Sequence, residues 1–151
     1  LDISHGMCYM VRVRVVLDTN VLIAGLRSRH GASFVVLTMV VDRRIRPLVT
    51  TALFLEYEAV LKRPEQRSMT GMTEAEVDGF MSEFAALAEG VDVHFLWRPQ
   101  LADPTDEFVL EAMINGRGDA LVTHNTRHFS RAASRFGLSV VSPSEFLGIA
   151  P

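Results

Sequence analysis

Val11-Arg12-Val13-Arg14-Val15-Val16-Leu17-Asp18-Thr19-Asn20-Val21-Leu22 is the stretch on which the fold turns. Valine alternates with arginine at first and then the chain runs apolar without a break to Leu17, the pattern of a central strand buried on both faces. A polar triplet, Asp18-Thr19-Asn20, follows directly, and Val21 to Leu26 begins a short apolar helix. A buried strand that hands over to a helix through an acidic residue is the opening unit of an α/β domain.

Working outward, the same alternation repeats. Gly31 precedes a helix over Ala32 to Asp42, whose end carries Arg43-Arg44, and Arg46 to Thr50 reads as a second strand. Thr50 or Thr51 caps a helix from Ala52 to about Arg63, with Leu53, Tyr57, Val60 and Leu61 on one stripe and Pro64 as its stop. Thr73-Glu74-Ala75-Glu76 is a capping box for a helix that runs to Gly90. Val91 to Trp97 reads as a third strand, and Asp103-Pro104-Thr105-Asp106 opens a helix that ends near Gly116 to Gly118. Ala120 to Thr123 is a fourth strand, Arg127 to Phe136 a helix, Ser139 to Val141 a fifth strand and Ser142 to Leu147 a last short helix. No two-residue hairpin signal joins any pair of strands, so the pattern predicts parallel pairing through right-handed crossovers in a three-layer α/β/α domain.

Residues 10–151 form one such domain on this reading, with no repeat, low-complexity tract or linker. The 151 residues suffice to bury a core without disulfides, and 48% apolar against 22% charged is an ordinary globular balance. Residues 1–9 lack the basic and apolar regions of a secretory signal and are read as an upstream extension, with Met7 or Met10, or a non-standard start at Leu1, as the natural beginning. The longest apolar stretch, Phe34 to Val41, is too short to cross a bilayer. The lone Cys8 excludes an internal disulfide framework and a cysteine-rich zinc site, and suits a reducing, cytoplasmic compartment. A net charge of −3 argues against general adhesion to nucleic acid, yet acids gathered around a metal lower the net charge of a nuclease in the same way. Arginines such as Arg27, Arg29, Arg127 and Arg131 either border a groove or belong to ordinary solvated faces.

In open α/β sheets, ligands bind outside the carboxyl ends of the strands. Asp18, Glu56, Asp106 and Asp119 fall at or near strand ends and come from separate parts of the chain. Each also has a structural explanation: Asp18 as a helix cap, Glu56 on a solvated face, Asp106 against a helix dipole, Asp119 in a turn. Asp18 and Asp106 adjoin apolar segments, where an unpaired carboxylate is costly. A hard divalent cation offsets that cost, because Mg²⁺ and Mn²⁺ select oxygen ligands. His5, His30, His94, His124 and His128 are scattered and make no zinc-spaced group.

At these residues the chain resembles the PIN-domain nucleases. Val16-Leu17-Asp18-Thr19-Asn20-Val21-Leu22 is similar to the family's opening motif, and Thr50 to Leu61 to its second, with Glu56 as the acidic ligand. Asp103-Pro104-Thr105-Asp106-Glu107 resembles the third, Asp119-Ala120-Leu121-Val122-Thr123-His124-Asn125 the fourth, and Pro143-Ser144-Glu145-Phe146-Leu147 a common ending. The resemblance spans about Val11 to Leu147 and points to VapC-like toxin components of bacterial toxin–antitoxin systems. It implies a five-stranded parallel sheet in the order 3-2-1-4-5, cleavage of single-stranded RNA with Mg²⁺ or Mn²⁺, a cognate antitoxin protein and a homodimer. It also implies Asp18 and Asp106 as principal metal ligands and catalytic residues, with Glu56 and Asp119 in support. Asn20, Thr123 and Asn125 are expected to bind substrate or to steady the ligands. Many family members carry an acid where this chain has Asn125, which leaves the fourth ligand open between Asp119, Asn125 and a water held by both. His124 is expected as a loop histidine without a role at phosphate.

Two other enzyme classes place acids at strand ends. Haloacid-type phosphatases want Asp-x-Asp where this chain has Asp18-Thr19-Asn20, and phospho-receivers want a lysine near the fifth strand, where it has Ser142-Pro143. An RNA-binding or partner-binding module on the same fold is the non-enzymatic alternative.

Overall fold

The computed structural model describes residues 12–95 and 101–150. The expectations for residues 1–9, Met10 and Cys8 lie outside the described residues. The central strand forms as predicted: β1, Val13–Leu17, ends in Val15, Val16 and Leu17, all fully buried. It is flanked by β2, Ile45–Val49, and β4, Ala120–Val122; β3, Glu89–Gly90, and β5, Val140–Val141, complete the sheet. The order is β3-β2-β1-β4-β5 with every neighbouring pair parallel, the arrangement the family resemblance implied. Helices flank the sheet: α1, Thr19–Arg27, α2, Ala32–Val41, α3, Thr51–Leu61, α4, Pro64–Thr70, and α5, Glu74–Leu87, lie in its first half. After β3 come α6, Pro104–Gly116, a 3₁₀ turn at Thr126–Phe129, α7, Ser130–Phe136, and α8, Pro143–Ile149.

Local chemistry sets most boundaries. Thr50 accepts from the Leu53 N–H to cap α3, and the Thr73–Glu76 and Ser142–Glu145 pairs each form a complete capping box. Pro64 does stop α3, but it also starts α4, because the first helical position needs no N–H. The segment between α3 and the Thr73 cap is therefore largely helical, closed by Gly71 at φ 76°. Gly25 lets α1 and α2 approach, since a Cβ there would lie 2.5 Å from Leu37 Cδ1.

The third strand departs from expectation. Pairing with β2 covers Glu89 and Gly90 and closes with the Val91 N–H on the Val49 carbonyl. Beyond it the alternating Val91 to Phe95 is not a strand, because a side chain from α6 takes over its backbone. Asn115 Oδ1 accepts from the N–H groups of His94 (2.7 Å) and Phe95 (2.8 Å), and its Nδ2 donates to the Phe95 carbonyl at 3.0 Å. Leu96 and Trp97, the end of the predicted strand, lie outside the described residues.

Candidate active site

Asp18 leaves β1 at its carboxyl end, and its N–H donates to the Val122 carbonyl of β4 at 2.9 Å. It occupies the cap position of α1, yet its side chain makes no capping hydrogen bond. The carboxylate instead turns to β4, where Thr123 Oγ1 donates to Oδ2 at 2.7 Å. Thr123 is fully buried and also accepts from the Asn125 N–H at 3.0 Å, so one hydroxyl ties the Asp18 carboxylate to the loop after β4. Burial pushes the Asp18 carboxyl up; the Thr123 hydroxyl, the N–H groups at the start of α1 and the His128 ring offset this in part.

Below Asp18 the backbone is pinned by Tyr57 of α3. Its hydroxyl donates to the Leu17 carbonyl from a fully buried position, and its acidity is suppressed first by burial and then by the charge of Asp18. Tyr57 was legible in the sequence as an apolar stripe residue, but not as the prop of the residue before Asp18.

Asp106 approaches from the first turn of α6 and is 8% exposed. Its carboxyl is raised to about 6 by burial first, then by the charges of Asp18 and Asp103, against the pull of His128. His128 Nδ1 stands 3.3 Å from Asp106 Oδ2. Asp103 caps α6, accepting from the Thr105 N–H (3.0 Å) and hydroxyl (2.8 Å), which hold its carboxyl low. Glu56 of α3 is half-buried; burial raises it, Arg63 opposes and the charge of Asp103 adds to the rise. The structure thus brings Asp18 and Asp106 into one field with Asp103, and Glu56 joins through Asp103.

Asp119 does not belong to this group. It precedes β4 and pairs with Arg14 early in β1: its N–H donates to the Arg14 carbonyl at 2.7 Å and its Oδ2 accepts from the Arg14 N–H at 2.8 Å. Arg14 is four residues upstream of Asp18 on extended chain, which puts the two acids roughly 13 Å apart at opposite ends of the sheet. The fourth-motif candidates that do reach the Asp18 end are Thr123, His124 and Asn125. Asn20 Oδ1 accepts from the His124 N–H at 3.3 Å, and His124 Nε2 lies 2.7 Å from the hydroxyl of buried Ser33. Glu58 faces away and pairs with Lys62 at 2.9 Å, and Lys62 also meets Asp78 at 2.7 Å.

Sequence reasoning missed His128 and the electrostatic part of Asp103. Asp103 presents itself in the sequence as a cap, and nothing near His128 in the chain announces Asp106. Glu107 and Glu111, 4% and 5% exposed, add two further buried and engaged acids on α6. Among the described residues, no group of three or more His, Cys, Asp or Glu side chains stands ready-assembled for a metal ion. The chemistry of the donors nonetheless suits a hard cation: two buried carboxylates repel one another, and each has one oxygen held by a neighbour.

Comparison with known proteins agrees with this fold. A family profile described as PIN domain matches residues 14–127. No curated protein matches the chain. Among solved structures, a chain of VapBC2 from Rickettsia felis, in a complex bound to a DNA fragment from its promoter, superposes with a TM-score of 0.52 at 14% identity. The match covers 86% of this chain and 98% of that one, a likeness of fold. Asp18, Glu56, Asp103, Asp106 and Thr123 all lie inside the matched span, and the chain belongs to the PIN-domain family.

Proposed function

We propose that the chain is an endoribonuclease, dependent on Mg²⁺ or Mn²⁺, that hydrolyses phosphodiester bonds in single-stranded RNA. The observation that carries this reading is the pair Asp18 and Asp106, delivered from distant elements, both buried, and near enough that the charge of Asp18 raises the Asp106 carboxyl. Structural carboxylates are ordinarily satisfied, and repulsion maintained at a strand end suits a site that gains its partner on binding.

Asp18 and Asp106 would hold the ion, with Glu56 and Asp103 supporting at its edge. A bound divalent ion supplies Lewis acidity to both the attacking water and the charge that develops on the phosphate. The chain's own groups prepare for it. Thr123 holds Asp18 Oδ2 and His128 stands against Asp106 Oδ2, so each carboxylate is oriented by a neighbour from the loop after β4. Tyr57 fixes the strand end from below, and Asn125, at the exposed lip, stands where a substrate strand passes. Asp119 has no place in this set.

The test is cleavage of single-stranded RNA with Mg²⁺ or Mn²⁺, with and without a chelator. Activity is expected to disappear on chelation and in Asp18→Asn and Asp106→Asn; cleavage that persists in the purified double variant overturns the assignment.

The family and the fold shared with a chain of a VapBC2 complex support a toxin role, paired with a small antitoxin protein that covers the acidic cleft, and with a homodimer as the working assembly. No helix among the described residues is long and apolar enough to cross a membrane, and a cytoplasmic location accords with that role. A second reading, an RNA-binding or partner-binding module with weak chemistry, is favoured by Asn125, which stands where many family members carry an acid. Calorimetric titration with Mn²⁺ separates the two: RNA binding without metal binding supports the module.

A further inference from the structure

Beside the acids lies a cavity of about 330 Å³, lined by Asn20, Ile23, Ala24 and Arg27 of α1 and by His124 and Asn125 of the loop after β4. It opens next to Asp18: Asn20 follows two residues after it in the chain, and His124 follows Thr123, the residue that grips its carboxylate. The walls are held in place. The exposed His124 is tied through Nε2 to the hydroxyl of Ser33, itself 2% exposed, and its N–H fixes the Asn20 side chain. Because that N–H can only donate, Asn20 must present Oδ1 to it, which leaves the amide NH₂ as the group Asn20 can offer a ligand. The lining combines an aliphatic patch, Ile23 and Ala24, a planar imidazole, amides and one exposed guanidinium.

That combination suits an unstacked nucleotide. Single-stranded RNA is recognised by splayed bases that stack on planar side chains, including histidine, while amides read their edges and arginine takes the phosphate. We infer that this cavity is a nucleobase subsite for the nucleotide adjoining the scissile phosphate, with the base against Ile23, Ala24 and His124, its carbonyl edge accepting from Asn20, and a backbone phosphate on Arg27. Uracil, guanine and cytosine, which carry a carbonyl oxygen, are the bases it selects over adenine, whose edge has none. The subsite rests on the ribonuclease reading, and Asn20 and Asn125 become groups that choose where the strand is cut. His124, expected as a loop histidine without a role, becomes the stacking wall.

The test uses the whole protein with Mn²⁺ and a pool of single-stranded RNAs randomised around a common position, with the ends sequenced. The parent is expected to disfavour adenine on one side of the cut. Ala24→Phe, which fills the cavity, is expected to erase that preference and raise KM about tenfold, with kcat changed less than about threefold. A second readout needs no catalysis: in the Asp106→Asn background, Arg27→Ala is expected to weaken binding of a short single-stranded RNA about tenfold and to lower the salt slope by about 1. Arg27 is exposed, so this variant folds even if Ala24→Phe does not. An unchanged cut preference in Ala24→Phe together with unchanged affinity on Arg27→Ala, while the parent still cleaves, overturns the subsite alone. Preference for adenine overturns the assigned role of Asn20. A parent that neither binds nor cuts single-stranded RNA overturns the ribonuclease reading and the subsite together.

Discussion

The two ends of the sheet carry similar residues in opposite condition. At the amino end, Arg14 grips Glu89 with two hydrogen bonds, 3.0 Å from Nε and 2.7 Å from Nη2, while Arg46 stands 3.7 Å from the same carboxylate and Asp119 is satisfied by Arg14 backbone. Pairing with Arg14 holds the Glu89 carboxyl below its usual range. At the carboxyl end, Asp18 and Asp106 are more deeply buried, each is raised, and Asp18 raises Asp106 further. Acids at a strand end are therefore not evidence of function by themselves. What distinguishes the two ends is whether the charges are neutralised within the chain, as in a structural tie, or left in mutual repulsion, as at a site completed by a ligand.

The largest effect that can break this comparison lies in activity. Asp106→Asn is expected to lower single-turnover RNA cleavage by about a thousandfold or more, whereas Asp119→Asn keeps it within about threefold. An inactive, folded Asp119→Asn protein would erase the contrast between the ends.

Stability of the metal-free protein sharpens it. A carboxyl raised on folding stabilises the fold when protonated, and that contribution is lost as pH climbs through the folded value, about 6 for Asp106. Glu89 has the opposite sign: its contribution is present above the ordinary glutamate range and is lost as pH falls through its lowered folded value. In the presence of a chelator, melting temperature is expected to fall between pH 5 and pH 7, and Asp106→Asn to flatten that slope and raise the melting temperature at pH 7 by roughly 2 to 4 °C. Glu89→Gln is expected to lower it at pH 7 by a comparable amount. Thermal scans across pH check both, and a destabilised Asp106→Asn protein would mean that the carboxyl end is internally satisfied after all.

The smallest effect is expected at Glu58. Its pair with Lys62 lies at the surface and is screened by solvent, so Glu58→Gln is expected to leave cleavage unchanged while Glu56→Gln lowers it. The reverse result would exchange the two glutamates.

Much of this was readable along the chain. The apolar run to Leu17, the capping box at Thr73 and Glu76 and the cap at Asp103 rest on contacts within a few residues, and they form where periodicity and side-chain chemistry placed them. Pro64 was ambiguous because proline both ends one helix and begins another, and residues 91–95 misled because their alternation is that of a strand while Asn115, distant in sequence, takes their hydrogen bonds.

By itself, then, the sequence determined the parallel α/β architecture, the strand end at Asp18 and the helix start that bears Asp106, because burial periodicity and capping are local. Tertiary structure decided which acids meet. Asp119 sits in a motif with Thr123, yet β4 runs between them, and a strand carries its two ends to opposite sides of the sheet. His128 reaches Asp106 and Thr123 reaches Asp18 only because the crossovers bring the loop after β4 over the end of β1. Distance through space governs electrostatics and hydrogen bonding, and distance along the chain does not reveal it.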